Sequence, residues 1–294
     1  MSVKPILIVV VVLALVTMAC GIQVDLPDIN IPVEQIEVGP TQTETISIPV
    51  PDGDSVALMI GFGAGELKLS PGESNLLVEG TASYNVQDFK PEVTVEGSRV
   101  ELKTGELEIK GVPKLTGANI KNEWDLLLGS MPMDLTIEAG AYQGEFELGT
   151  LALNSLVVGD GASDVELVFS APNRVPMTQL RYNTGASNVT LSGLANANFS
   201  SMNFRSGAGN YRLDFSGALQ RDATVTVESG ISQVVIVVPA GTAARVKVSS
   251  SLTNIEARGV WEQSGDEYVL EGNGPTLTIF VTMGAGSLEL RNVP

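Results

Sequence analysis

Apolar and polar residues alternate along most of this chain in pairs of short segments that meet at a glycine. In each such unit, apolar side chains stand five and three residues before the glycine and again four and six residues after it. Around Gly185 they are Leu180, Tyr182, Val189 and Leu191. Because side chains two residues apart lie on one face of a β-strand, each unit predicts two strands with one buried face, joined at a small and permissive glycine corner.

The same unit occurs eight times along the chain. Its corner residues are Gly63, Gly140, Gly161, Gly185, Gly207, Gly230, Ser251 and Gly284. From Gly140 to Ser251, consecutive corners are 21, 24, 22, 23 and 21 residues apart. A near-constant period predicts a solenoid, whose coils bury their apolar faces by stacking on one another. We therefore expect an all-β fold, a parallel β-helix-like β-solenoid with about 22 residues per coil. An antiparallel β-sandwich of hairpins is the alternative.

Two parts of the chain depart from this period. Residues 45–134 still alternate in part and predict an N-terminal β cap or layer. The candidate inward residues of this cap are Val93, Val95, Val100 and Leu102. Residues 135–294 predict the repeat solenoid, with a hairpin inserted near the C-terminus around Ser264, Gly265 and Asp266.

The first residues predict a targeting segment and a linker. Lys4 and the apolar run from Ile6 to Val16 indicate a signal peptide over residues 1–19, too short to span the ~30 Å hydrocarbon core of a membrane. Cys20, the only cysteine, stands where bacterial lipoproteins are cleaved and lipidated. We therefore expect an extracytoplasmic protein, lipid-anchored to the bacterial cell membrane or outer membrane, with residues 20–44 as an acidic, proline-containing stalk. An uncleaved signal anchor and a docked edge strand are the respective alternatives.

The charge and residue composition exclude several classes of partner and active site. The formal net charge is −17 and histidine is absent. Nucleic acid is therefore an unfavourable partner, and the commonest general base and metal ligand is missing. The acid–glycine turns PDGD from Pro51, GDGASD from Gly159 and SGD from Ser264 lack the spacing of calcium-binding loops. We predict no cofactor, no metal site and no catalytic residue.

Two outward positions are apolar where other repeats are polar. In the segment SQVVIVVPAG, Val235 and Val237 occupy places that carry Asp, Thr, Arg or Glu elsewhere. Apolar side chains on a polar face indicate an interaction surface, so Val235 and Val237 form the candidate interface. The alternative is that a neighbouring segment covers them.

Several segments together resemble a known family. They are GFGAGELKLSPG from Gly61, LLVEGTASYNV from Leu76, FKPEVTVEG from Phe89, NEWDLLL from Asn122 and MDLTIEAGA from Met133. In this order, followed by glycine–alanine repeats, they resemble the toast-rack family of bacterial envelope proteins. That family is similar in turn to LiaF-type C-terminal domains and to adhesin-like domains of stacked β-coils. The resemblance implies a β-solenoid-like fold on an anchored envelope protein that acts in surface interaction or in the envelope-stress response. The sequence GAGE that is usual in this family is replaced by GASD, GASN and GISQ in three repeats. The resemblance assigns no catalytic or binding residue to this chain.

These patterns favour a lipid-anchored envelope protein that presents its β-solenoid as a non-enzymatic binding or adhesin-like module, with an envelope glycan or a membrane protein as partner. One alternative is an envelope-stress component that acts on a membrane sensor. The other is a polysaccharide-active enzyme, with Asp164 and Glu166 beside Asn188 as candidate acids. The enzyme is disfavoured because aromatic residues are few and no nucleophile motif occurs.

Overall fold

The structure is a computed structural model that describes residues 33–34, 38–73, 75–105, 112–113 and 120–293. The predicted signal peptide, the lipidated Cys20 and most of the predicted stalk lie outside these residues. Within the described ranges, no helix is long and apolar enough to cross a membrane.

Strands make up most of the described residues, which confirms the all-β class. The helices found in these ranges are two short 3-10 helices, Gln87–Phe89 and Leu194–Ala197. The described strands are β1 (Val33–Glu34), β2 (Gln42–Pro49), β3 (Val56–Pro71), β4 (Leu76–Tyr84), β5 (Pro91–Glu96), β6 (Arg99–Thr104), β7 (Val112–Pro113), β8 (Asn122–Leu128), β9 (Met133–Glu147), β10 (Leu153–Val168), β11 (Met177–Ser192), β12 (Phe199–Asp214), β13 (Ala223–Pro239), β14 (Ala243–Arg258), β15 (Glu262–Ser264), β16 (Glu267–Leu270) and β17 (Thr276–Val293).

The chain divides into two units. The described part of the smaller unit is a parallel pairing of β1 with β7. The larger unit comprises Glu37–Glu108 and Gly117–Pro294, and its strands form one mixed sheet of fifteen strands that does not close on itself.

Eight long strands run parallel and form the main part of this sheet, here called the ladder. Their spatial order is β3, β9, β10, β11, β12, β13, β17 and β14. Equivalent residues of the repeat lie side by side, as Leu156, Leu180 and Met202 do on β10, β11 and β12. In the described residues, antiparallel pairing occurs only at the two ends of the ladder, and each antiparallel pair includes a short strand.

Seven of the eight long strands turn at the corner so that both of their arms face the core, whereas on the second arm of β14 Ile255 is only partly buried and Ala257 is exposed. On β10, Val158 before the corner and Val165 after it are both buried, although they are seven residues apart. In a straight strand, residues an odd number of positions apart point to opposite faces. The backbone must therefore change direction between them, at Gly161.

The corner glycines are required by the close approach of neighbouring strands. A Cβ atom at Gly185 would stand 2.4 Å from the carbonyl oxygen of Gly161, and one at Gly207 would stand 2.6 Å from that of Gly185. The φ angles of these glycines lie outside the left-handed range. Their role is therefore to leave space for the adjacent backbone, and the conformational freedom expected from the sequence is not what the corner uses.

Buried asparagines fasten the segments that connect one long strand to the next. The side chain of Asn173 is 3% exposed. Its amide nitrogen donates to the carbonyl oxygens of Leu153 and Val175 at 2.8 and 2.7 Å, and its Oδ1 accepts from the Leu153 amide at 2.8 Å. Asn196 does the same in the next connection, donating to the Phe169 carbonyl and accepting from the Ala218 amide. These side chains supply bonds that the irregular backbone would otherwise lack.

The last strand breaks the sequential order of the ladder. β17 pairs in parallel with β13 on one side and with β14 on the other, so it separates two strands that are consecutive in sequence. β15 and β16 form a hairpin that turns at Gly265 and Asp266, and β16 pairs with the free edge of β14.

The opposite end of the ladder divides into two branches. The first arm of β3 pairs with β6, and its second arm pairs with β8. Val100 and Leu102 of β6 are buried, as predicted. The inward prediction for Val93 and Val95 is wrong, since they are 47% and 54% exposed. The reason is that β5 is an edge strand that pairs with β6 alone among the described strands, so its side chains lie beyond the core.

Candidate functional site

A shallow groove crosses five strands of the ladder beside the glycine corner. We call it the corner groove. Its outer row, two residues before each corner, is Glu138, Gly159, Asn183, Arg205 and Glu228, and its inner row, one residue before each corner, is Ala139, Asp160, Thr184, Ser206 and Ser229. Two depressions of about 480 and 510 Å³ meet at Asn183 and Thr184, which line both of them. Thr282 of β17, the neighbour of Glu228, also lines the second depression, so the groove is continuous from β9 to β13 and ends against β17.

Apart from Ala139, hydroxyl groups and one carboxylate form the inner row. The Asp160 carboxylate accepts hydrogen bonds from the Tyr182 hydroxyl, at 2.8 Å, and from the Thr184 hydroxyl. Farther along the groove, the hydroxyls of Ser206 and Ser229 lie 2.7 Å apart. Because these groups are bonded from one strand to the next, their positions are fixed before any ligand arrives.

Buried phenols hold the Asp160 carboxylate from the core side. Burial raises the pKa of Tyr182 well above its ordinary value, and the nearby Tyr142 and Asp160 raise it further. The pKa of Tyr142 is raised in the same way, mainly by burial, and its hydroxyl lies 3.4 Å from Asp160. Both phenols therefore stay neutral and donate to the carboxylate at physiological pH.

The outer row is polar and open to solvent. The Nε atom of Arg205 lies 2.9 Å from a carboxylate oxygen of Glu228, with the two side chains 63% and 47% exposed. At such exposure the ion pair contributes little to stability, so both groups are free to exchange partners. Gly159 leaves a gap in this row, because a Cβ atom placed there would meet nothing within 4 Å. The gap opens the groove toward Asp160, which is partly exposed.

The residues predicted as an interface lie elsewhere on the sheet. Val235 is half-buried between Arg212 of β12 and Glu289 of β17, and Val237 is only 1% exposed. Consecutive burial from Ile236 to Val238 indicates that this end of β13 is covered on both faces. The side chain of Val237 is therefore not available to a partner, in agreement with the alternative that a neighbouring segment covers it. Cys20, the predicted lipidation site, lies outside the described residues.

The candidate acids of the enzyme alternative are not in the groove. Asp164 lies beside Asn188 on adjacent strands, and both are exposed, as is Glu166. Across the described ranges, no three His, Cys, Asp or Glu side chains are grouped so that they could hold a metal ion. In the acid–glycine turn that begins at Gly159, Asp160 instead binds hydroxyl groups of its own fold.

Sequence reasoning missed the corner groove, although the repeat carries a signal for it. The residue before the corner is Asp160, Thr184, Ser206 and Ser229 in four consecutive units. Hydroxyl and carboxylate groups recur at one position that the apolar pattern leaves unexplained. With the units aligned on the corner glycine, the polar residues of the position just before it predict this row.

The family comparison covers most of this fold. The model of the N-terminal domain of toast_rack, DUF2154, matches residues 37–174 and 172–237. The chain belongs to the toast-rack family. The resemblance seen in the sequence is thereby confirmed. No curated protein is significantly similar to this toast-rack protein.

Solved structures with a similar fold come from bacteria. A candidate cell adhesion protein from Clostridium sporogenes is 18% identical, with a TM-score of 0.50 over 86% of this chain and 100% of its own. A candidate adhesin from Bacteroides fragilis is 11% identical, with a TM-score of 0.40 over 88% and 100%. A candidate lipid-binding protein from Parabacteroides distasonis is 8% identical, with a TM-score of 0.41 over the same shares. With a TM-score of 0.50 at 18% identity, the Clostridium sporogenes protein shares the fold of this chain.

Proposed function

We propose that this toast-rack protein is a lipid-anchored, extracytoplasmic protein of the cell envelope that acts as a non-enzymatic, adhesin-like binding module. The observation that carries this proposal is the corner groove, where polar side chains stand in fixed rows on parallel strands. Five strands at ~4.8 Å spacing make this groove about 19 Å long. A surface of this kind is suited to contacting an extended partner at several points.

The comparisons support the same class of function. The Clostridium sporogenes protein, which shares the fold, is described as a candidate cell adhesion protein. We carry that description to this chain as a proposal, because a shared fold by itself does not determine function.

We also propose that the repeats are coils of a β-solenoid with about 22 residues each, preceded by an N-terminal β cap. Parallel register between long strands and the stacking of corner glycines support this description. In such a fold each coil stabilises its neighbours, so the surface is stiff along the stacking direction.

Membrane attachment through Cys20 is the second part of the proposal. Acyl chains on one cysteine contribute ~0.8 kcal/mol per buried CH₂ group, which suffices for stable anchoring when several chains are present. In cells grown with a clickable fatty acid, the full chain should be labelled, and Cys20→Ala should abolish the label. Labelling of the Cys20→Ala variant would contradict the assignment of this residue.

The binding role is tested with the full chain reconstituted in fluorescent lipid vesicles. Vesicles that carry the protein should attach to bacterial cells or to isolated cell walls in a saturable way, and protein-free vesicles should not. If both kinds of vesicle bind equally, the adhesin-like role is wrong. Release of new reducing sugar ends during the incubation would contradict the non-enzymatic part of the proposal.

A further inference from the structure

We propose that the corner groove is a binding site for an uncharged, hydroxyl-rich chain, namely a neutral oligosaccharide that lies across the strands from β9 to β13. The inference rests on the proposed function, because it names the ligand and the site of that binding module.

The spacing of polar groups in the groove matches an extended chain of sugars. Neighbouring strands are ~4.8 Å apart, so the groove offers a fresh set of polar groups at each such step. Carboxylates and the Asn183 amide oxygen accept hydrogen bonds, whereas the Asn183 amide nitrogen, the Arg205 guanidinium and the partly exposed Ser206 hydroxyl donate them. A sugar chain presents hydroxyl groups, which do both, at every unit.

The inner row is arranged before binding. The Asp160 carboxylate is already bonded to Tyr182 and Thr184, and Ser229 lies 2.5 Å from the Ser232 hydroxyl as well as beside Ser206. Side chains that are already ordered lose little conformational entropy when a ligand binds. A groove without a deep apolar pocket can therefore still bind a polar chain.

The charge of the groove selects against other ligands. Glu138, Asp160 and Glu228 are acidic and Arg205 is the only basic residue in the two rows, so the groove is negative on a protein whose net charge is −17. A polyanion would be repelled. Ala139 and Gly159 are the only residues of the two rows without a polar side chain, so a ligand meets hydrogen-bonding groups along most of the groove. A neutral polyol satisfies both conditions.

Gly159 provides the means to test the site without disturbing the fold. Its φ angle lies outside the left-handed range, and a Cβ atom there would meet nothing within 4 Å. A leucine at this position should extend into the gap of the outer row and block access to Asp160. Thr224→Leu is the matched control, since Thr224 is an exposed residue of β13 outside the groove.

The test is calorimetric titration of the detergent-purified full chain with four probes: cellohexaose, chitohexaose, hexagalacturonate and hexalysine. We expect at least one of the two neutral sugars to bind and hexagalacturonate not to bind. Gly159→Leu should weaken the neutral sugar about tenfold, as expected for the loss of a hydrogen bond to a charged group. Thr224→Leu should bind like the unmodified protein. Far-UV circular dichroism and the urea midpoint of both variants check that each is folded.

The proposal is overturned if neither neutral sugar binds, or if Gly159→Leu binds it as tightly as the control does. Binding of hexalysine that Gly159→Leu abolishes would assign the groove to a cationic peptide and also overturn it. Vesicle attachment separates this result from the function proposed above. If vesicles still attach to cells while both neutral sugars fail to bind, the glycan site is wrong and the adhesin-like role stands.

Discussion

Replacing Asn173 by alanine removes a buried amide that holds a connecting segment to the ladder. The side chain makes three hydrogen bonds, all to backbone groups of Leu153 and Val175, at 2.7 to 2.8 Å. Alanine cannot donate or accept at these positions. The change therefore leaves the Leu153 amide without its side-chain acceptor in a place that water does not reach.

The magnitude follows from the number and kind of bonds lost. A buried donor left without a partner costs about 1–3 kcal/mol, and each of the other two bonds contributes about 0.5–1.5 kcal/mol. The sum is about 4 kcal/mol at the middle of these ranges, a large part of the 5–15 kcal/mol that separates folded from unfolded domains. Asn188→Ala is the matched control, because Asn188 is exposed and makes one side-chain bond, to Asn210. Its effect should stay within about 0.5 kcal/mol.

Urea unfolding followed by far-UV circular dichroism measures the difference. With a slope of about 3 kcal/mol per molar urea, Asn173→Ala should lower the midpoint by about 1.3 M, and Asn188→Ala should leave it nearly unchanged. The dependence of the unfolding free energy on urea concentration has to be compared between the variants as well. Stacked repeats can lose unfolding cooperativity when the contact between two neighbouring repeats is weakened. Equal midpoints for the two variants would refute the argument that buried asparagines fasten the connections.

Three further predictions concern the corner and the charged groups. Gly185→Ala should lower the thermal unfolding midpoint, because its Cβ atom would stand 2.4 Å from the Gly161 carbonyl oxygen. Gly159→Ala is the control and should not lower the midpoint, since its Cβ atom would meet nothing within 4 Å. Equal midpoints for the two variants would argue against close stacking at the corner. Burial and a hydrogen bond from its hydroxyl to Glu44 raise the pKa of Tyr84 to about 12 from its ordinary value of 10. The neutral phenol therefore contributes stability that is full below pH 10 and is lost as the pH rises to about 12, and Tyr84→Phe, which lacks this titration, should lose less stability between pH 10 and 12 in an alkaline titration. The hydrogen bond from Arg291 lowers the pKa of Glu289. The carboxylate thus stabilises the fold above its ordinary pKa of 4.5, and this stabilisation is lost as the pH falls through the lowered pKa of the folded protein. Glu289→Gln should therefore make the free energy of unfolding fall less steeply at acid pH. An unchanged acid limb of the pH–stability curve would exclude a contribution from Glu289.

The arms and corners of the ladder were predictable because they depend on the apolar pattern of one unit at a time. Val158 and Val165 can both be buried only if the chain turns between them, and their odd separation is visible in the sequence. The shared position of the glycine then fixes the register between units, as the pairing of Leu156 with Leu180 shows.

Features that depend on a strand's neighbours were not predictable in this way. Val95 and Val237 both follow the alternation, yet one lies on an edge strand and is exposed while the other is covered and buried. The corner groove has the same origin, because Asp160 and Thr184 become one site only when their strands are placed side by side. Alternation describes the two faces of a strand, and it does not state what lies beside or above it.

The position of β17 also determines when the fold can be completed. A chain that emerges from the N-terminus presents β14 before β17, yet β17 is the parallel neighbour that joins β14 to the rest of the ladder. Until β17 is synthesised, β13 keeps an unpaired edge, and among the described strands β14 can pair only with the short hairpin strand β16. Completion of the ladder therefore waits for β17, and a chain interrupted before it would expose a long strand edge to other chains during synthesis.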